Sequence, residues 1–394
     1  MSPAPARAIL PEPPAELKRL SARLRGRIRE EIEQHGNLPF SRYMERALYE
    51  PELGYYSSGL QKFGAGGDFV TAPELGRVFA HCLAVQVAEI AAELDTDTIL
   101  EIGAGRGHLA ADLLLALPPG RVPGRYLILE RSASLRAVQR ATLARRAPEF
   151  LPRVEWLQQP PEQPWQGIML ANEVVDALPV ERFEWRAGEI LELQVGCQQD
   201  RFHWQPAPAP APLDTCVRAR LSTRLSELPD GYRSEINLHL EPWLASLGQG
   251  LRRGVALFFD YGYPRREYYL PERRTGTLVC HYRHRGTGDP FRWPGLLDIS
   301  SFVDFTALAE AGQAAGFECA GYTSQAMFLL GSGLDELLAS LDDCPPAERL
   351  ELATEIRNLT LPGAMGERFQ ALALTRDAAP SLCGFRQLDL RYRL

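Results

Sequence analysis

The residues Glu101-Ile102-Gly103-Ala104-Gly105-Arg106-Gly107 follow directly on the apolar run Thr98-Ile99-Leu100, and Glu130 closes a second apolar run, Tyr126-Leu127-Ile128-Leu129. Glycines at this spacing let a backbone approach a ligand with no Cβ in the way, and they tolerate positive φ. An acid after the second strand can accept hydrogen bonds from both hydroxyls of a ribose. Strand, glycine turn, helix, strand, acid is how doubly wound folds hold an adenosyl or dinucleotide cofactor. The spacing here is Gly-x-Gly-x-Gly, and His108 stands where the dinucleotide fingerprint has its third glycine. With Glu101 two residues ahead of Gly103, the pattern fits S-adenosylmethionine better than a nicotinamide dinucleotide. A glycine-rich turn without a ligand is the remaining alternative.

A second set of reactive groups, Asn172-Glu173-Val174-Val175-Asp176, follows the apolar run Gly167 to Ala171. Ligands bind at the carboxyl edge of open α/β sheets, which is where a post-strand segment lies. Methyl transfer is an in-line displacement, so an enzyme has chiefly to align two reactants and deal with a proton on the nucleophile. Two nearby carboxylates can hold a cationic acceptor group through paired hydrogen bonds. Glu173 and Asp176 would share a face for that task if their loop takes a helical turn. In the alternative reading Asp176 caps or pairs locally while Asn172 and Glu173 order the cofactor. The segment lacks the two prolines of an Asn-Pro-Pro-aromatic motif, which argues against glutamine as the acceptor.

These groups need a scaffold, and the apolar periodicity supplies one. Leu17, Leu20, Leu24, Ile28 and Ile32 predict an amphipathic helix from Ala15 to about His35, ended by Gly36-Asn37. Ser41 is a candidate cap for a second helix. Tyr49 to Glu74 lacks either periodicity, and Gly64 to Glu74 is a candidate lid over a cofactor, with Asp68, Thr71 and Glu74 as its polar groups. Val78 to Leu94 reads as a helix leading to a strand near Ile99. His108 to Leu117 is the crossover helix, and Ser132 can cap a helix Ala133 to Arg146. Further strands are expected at Val154 to Leu157, Gly167 to Ala171 and Gly254 to Phe259. Five strands alternating with helices make a parallel α/β sheet. Arg182 to Gln205 alternates like a small antiparallel hairpin or meander, and the alanine-proline run to Pro212 reads as a polyproline II spacer of roughly 25 Å. Helix is expected again from Leu238 to Leu251 and from Val303 to Ala315, and a last strand from Phe369 to Leu374. The domains expected are residues 1–75 (helices and lid), 76–181 with 252–380 (catalytic sheet), and an insertion at 182–251.

Four blocks resemble the MidA-like family of class I S-adenosylmethionine-dependent methyltransferases. They are Lys62 to Glu74 (Lys-Phe-Gly-Ala-Gly-Gly-Asp-Phe-Val-Thr-Ala-Pro-Glu), the Glu101–Gly107 turn, Ala171 to Val180 (Ala-Asn-Glu-Val-Val-Asp-Ala-Leu-Pro-Val) and Met365-Gly366-Glu367-Arg368-Phe369. Asp260-Tyr261-Gly262 agrees as well. The blocks run in order from about residue 37 to 375, so nearly the whole chain is covered. The alanine-proline run at 206–212 is a departure from the family. The resemblance implies a Rossmann-like sheet, S-adenosylmethionine as cofactor, and methylation of arginine in a protein, with a respiratory-complex subunit as one such protein. Small-molecule methylation, or cofactor-dependent chaperoning with little turnover, are the alternatives. The expected cofactor contacts are Glu101, Gly103, Gly105, Gly107, Glu130, Leu157, Gln158 and Asn172, with Asp68, Thr71, Pro73 and Glu74 from the lid. Glu173 and Asp176 are the expected catalytic pair.

Composition narrows the classes further. A net charge of −7 argues against a generally nucleic-acid-binding surface. Seven scattered cysteines with no Cys-x-x-Cys pair read as reduced thiols, and with no apolar span of membrane length the expected compartment is the cytoplasm. Cys280-His281-x-x-His284 is read as a basic loop rather than a metal site. The turn and Glu130 together generate a binding prediction. S-adenosylmethionine and its demethylated product should bind at roughly micromolar Kd. Glu130→Ala should weaken them by about 2 kcal/mol. Calorimetry that finds tight NADH binding and none of the sulfonium would overturn it.

Overall fold

The computed structural model describes residues 10–58, 71–339, 341 and 344–394. They form two compact units. One comprises Thr71–Val175, Leu240–Arg265 and Val303–Leu394. The other comprises the described residues of Met1–Val70 with Asp176–His239 and Arg266–Phe302.

The first unit is built on β1 (Thr98–Ile102), β2 (Arg125–Leu129), β3 (Val154–Leu157), β4 (Trp165–Asn172), β5 (Leu251–Tyr263), β6 (Glu318–Ser324) and β7 (Phe369–Arg376). Their order across the sheet is β3-β2-β1-β4-β5-β7-β6. β1 to β5 pair in parallel, as their apolar runs and intervening helices predict. All five residues of β1 are buried because helices cover both faces. β7 runs antiparallel to β5 and β6, so the sheet is mixed at one edge. β6 has no counterpart among the expected strands. Its Glu318-Cys-Ala-Gly-Tyr-Thr-Ser sequence is mostly small and polar, and a bulge between Cys319 and Gly321 interrupts it.

Helices Val78–Leu94, His108–Ala116 and Ala133–Arg146 lie where the pattern put them. Ser132 caps the last, its Oγ accepting from the Leu135 amide at 3.3 Å. Helix Val78–Leu94 has no local side-chain cap. Glu355, from helix Pro346–Thr360, accepts from the Val78 amide at 2.6 Å instead.

The second unit joins helices Ala15–His35 and Phe40–Tyr49 to two antiparallel sheets. The larger holds Glu181–Arg186, Glu189–Gln198, Arg201–Pro208 and Tyr232–Ile236, and the smaller Val279–Tyr282, Arg285–Thr287 and Asp298–Ser300. Leu24, Ile28 and Ile32 share one apolar cluster with Val195, Phe202, Cys280 and Ile299. No one segment could bury those faces alone, so the N-terminal helices, the insertion and the stretch 266–302 form a single unit instead of separate regions.

Three features of the structure differ from what the sequence leads one to expect. Ser41 does not cap its helix: Pro39 holds the cap position, and the buried Ser41 hydroxyl donates to Glu181. Residues 205–208 are no polyproline spacer. They finish the edge strand Arg201–Pro208, paired as Leu193↔Pro206 and Leu191↔Pro208, and helix Ala211–Leu221 follows. An edge strand tolerates proline where the nitrogen faces away from the ladder. The prolines occupy even positions, while the Ala209 amide donates inward to the Ile190 carbonyl at 3.3 Å. Helix Leu240–Gly248 is shorter than expected and belongs to the first unit.

Arg182 and Glu235, both buried, form an ion pair at 3.3 Å in the second unit. Arg182 also donates to the Thr275 carbonyl at 2.8 Å and lies 4.7 Å over the Trp204 ring. Glu235 accepts from the Thr277 amide at 2.7 Å. Removing one partner strands a charge in the interior. Glu235→Ala is therefore expected to cost about 3–5 kcal/mol in denaturant unfolding. A loss below about 1 kcal/mol would show the pair to be dispensable.

Candidate functional site

Three loops leave the carboxyl edge of the sheet with their first amide still held by the neighbouring strand. Gly103 donates to the Leu129 carbonyl at 3.1 Å, Glu130 to that of Leu157 at 2.9 Å, and Glu173 to that of Phe259 at 2.8 Å. The ladder thus extends one residue beyond β1, β2 and β4, and the side chains that follow leave from a common rim. The strand order reverses between β1 and β4, so the crevice of a doubly wound sheet opens between them.

The turn after β1 carries left-handed φ at Gly103 (65°), Gly105 (51°) and Gly107 (81°). At Gly107 a Cβ would add a tight 3.2 Å contact with Gln139 Cα to the strain of the left-handed φ. Gly105 is different: among the described residues a Cβ there would meet nothing within 4 Å, as in a ligand cradle. Glu101 is buried inside β1 and accepts from the Tyr126 hydroxyl at 2.8 Å.

Glu130 is oriented from both sides. One carboxylate oxygen accepts from the Ser132 amide at 2.8 Å and the other from the Gln139 side-chain amide at 3.2 Å. Gln139 belongs to no motif of the sequence. The signal was a glutamine in the stripe Leu135, Gln139, Thr142, Leu143, all of them buried, on a helix otherwise rich in arginine. Leu157 ends β3, and Gln158 is exposed just after it.

After β4, Glu173 sits at φ 53°, left-handed and unusual for a residue with a side chain. Asp260 in β5 holds the loop there. Its carboxylate accepts from the amides of Val174 (3.2 Å), Val175 (3.0 Å) and Tyr261 (2.9 Å). One oxygen of Glu173 accepts from the Asn172 side chain at 3.2 Å and from the Ala72 amide at 3.3 Å. The loop takes no helical turn, since left-handed Glu173 interrupts it. The face that Glu173 and Asp176 were expected to share is not made. Asp176 begins the other unit, buried, with its carbonyl accepting from the Ser301 amide at 3.0 Å.

Thr71 precedes the short helix Ala72–Leu75, in which Pro73 is buried. Glu74 approaches the glycine turn, with its carboxylate 3.1 Å from His108 Nδ1 and 3.9 Å from the Arg106 guanidinium. Asp68, with residues 64–70 of the expected lid, lies outside the described residues.

The geometry fits S-adenosylmethionine. Both Glu130 oxygens are oriented by N–H donors, as a ribose-binding acid requires, and no described residue stands within 4 Å of a Cβ placed on Gly105. A dinucleotide would need its pyrophosphate at the start of helix His108–Ala116. There the carboxylate of Glu74 already faces His108, which favours a cationic over an anionic neighbour.

Comparison with known proteins agrees. Residues 82–323 match a family described as S-adenosyl-L-methionine-dependent methyltransferases. A crystal structure from Burkholderia thailandensis with S-adenosyl-homocysteine bound is 41% identical, with a TM-score of 0.91, covering 98% of this chain and 100% of that one. The protein arginine methyltransferase NDUFAF7 of mouse mitochondria is 29% identical over 92% of this chain and 86% of its own. The Drosophila melanogaster homolog is 26% identical over 92% and 89%.

Burial raises the Glu101 pKa to about 7, against the smaller opposing effect of the Tyr126 hydrogen bond. A raised carboxyl pKa means the folded protein holds the proton more tightly than the unfolded chain. The stability this contributes is complete below about pH 4.5 and is lost as pH rises through about 7. The ligand-free protein should therefore lose on the order of 3 kcal/mol between pH 5 and 8 relative to Glu101→Gln, in which nothing titrates there. Parallel stability curves for the two proteins would refute this.

Proposed function

The chain belongs to the S-adenosyl-L-methionine-dependent methyltransferase family, and from that premise we propose that its acceptor is arginine in a protein. S-adenosylmethionine is its cofactor and supplies an electrophilic sulfonium methyl. The glycine turn and Glu130 bind and orient the cofactor, with Leu157, Gln158, Asn172, Thr71, Pro73 and Glu74 around it. Glu173 binds the guanidinium, and Asp260 keeps Glu173 at the rim by fixing its loop.

One observation carries this reading. A carboxylate on a loop held at left-handed φ stands at the end of β4, the strand beside β1 and its glycine turn. Accepting a hydrogen bond from each of two guanidinium nitrogens would localise the positive charge and leave the third nitrogen with more of its lone pair. The mouse and fly relatives, named protein arginine methyltransferases, support the same acceptor. A respiratory-complex subunit as the acceptor protein rests on the family resemblance. A reducing compartment, the cytoplasm in this proposal, suits seven cysteines with no disulfide among them. Among the described residues no helix is long and apolar enough to cross a membrane.

Incubation with methyl-labelled S-adenosylmethionine and cell extract, followed by amino-acid analysis of labelled protein, should recover methylarginine. Recovery of the label in another residue, or only in small molecules, would reject the proposal. Glu173→Gln keeps the shape and removes the charge. It is expected to slow methyl transfer at saturating cofactor by roughly 10²-fold, about 3 kcal/mol in barrier, with little change in cofactor Kd. Near-normal turnover in that variant would remove Glu173 from the mechanism.

A further inference from the structure

Gln139 is fully buried, and its one side chain joins the ends of three strands. Its amide nitrogen donates to the Gly105 carbonyl at 3.0 Å and to Glu130 at 3.2 Å. Its amide oxygen accepts from the Trp156 indole N–H at 3.0 Å. The partners dictate the orientation of the amide. Flipped, its oxygen would face a carbonyl and a carboxylate, both acceptors, and its nitrogen would face an indole donor. Trp156 is itself held, with the Arg140 guanidinium 4.2 Å from its ring centre.

Ser132 and Gln139 take different oxygens of Glu130, so together they set the plane in which the carboxylate meets a ligand. The Ser132 contact comes from a backbone amide two residues along the chain and needs no particular side chain. The Gln139 contact comes from a helix and can be lost by one substitution. The same amide ties that carboxylate to the Gly105 carbonyl in the glycine turn.

We infer that Gln139 is a positioning residue for cofactor selectivity: it aims the Glu130 carboxylate at the ribose hydroxyls and keeps the glycine turn in register with it. The inference rests on Glu130 as the ribose-binding acid. A site built to hydrogen-bond hydroxyls discriminates strongly against a ligand that lacks them. Discrimination should therefore depend on Gln139, which touches neither hydroxyl in this reading.

The test is calorimetric, on the full chain, with S-adenosylhomocysteine and its 2′,3′-dideoxy counterpart. In Gln139→Met, a variant of similar length that can make none of the three hydrogen bonds, affinity for S-adenosylhomocysteine should fall by about tenfold or more. Affinity for the dideoxy ligand should fall much less, so the ratio between the two shrinks. A merely structural glutamine would weaken both ligands in parallel, and an unchanged ratio overturns the proposal. Glu130→Ala separates the underlying reading: if that variant keeps the full ratio, Glu130 is not the ribose acid. Thermal melting checks folding. Should Gln139→Met fail to fold, Trp156→Phe keeps a smaller aromatic ring beneath Arg140 and removes the donor that anchors the amide oxygen. A reduced ratio is expected there too, and a full ratio refutes the role of Gln139.

Discussion

The reversal of strand order between β1 and β4 is the constraint on which the rest of the site depends. Strands on either side of that point send their connections away from each other, which leaves a crevice that no crossover helix fills. The backbone ladder then carries Gly103, Glu130 and Glu173 one residue past their strands before the loops diverge. Each of these bonds contributes only about 1 kcal/mol net. Their importance is geometric, because they fix where the side chains beyond the strand ends begin.

Around this crevice, environment divides the carboxylates by task. Asp260 is fully engaged by backbone amides and acts on the loop that bears Glu173. Glu355 closes the open end of helix Val78–Leu94 from a distant part of the chain. Glu101 is buried against one tyrosine hydroxyl, and burial holds its proton to near neutral pH. Glu130 and Glu173 stand at the rim with oxygens steered by N–H donors. A carboxylate inside the sheet cannot be solvated and must be protonated or paired, whereas one that follows a strand end has oxygens placed to meet a ligand.

Much of this was legible in the residues. Continuous apolar runs bounded by glycine, proline and acids placed β1 to β5, because a strand covered on both faces has to be apolar throughout. The Gly-x-Gly-x-Gly turn with Glu130 was legible for the same kind of reason: few residue types allow left-handed φ and close approach, so the chemistry is written in the types themselves. The Ala15–His35 helix followed from its periodicity alone. The alanine-proline run misled because composition reports what a free chain prefers. An edge strand that needs only every second N–H can absorb those prolines without loss.

The sequence by itself determined the doubly wound sheet, the adenosyl-type cofactor turn and the acids after β2 and β4, since these depend on local pattern and short spacing. Only the tertiary structure decided which unit holds Asp176, what keeps Glu173 in its unusual conformation, and that Gln139 links the glycine turn, Glu130 and Trp156. Those contacts join residues that are neighbours only after the sheet has assembled. A glutamine or aspartate in a sequence carries no mark of which distant backbone groups it will meet.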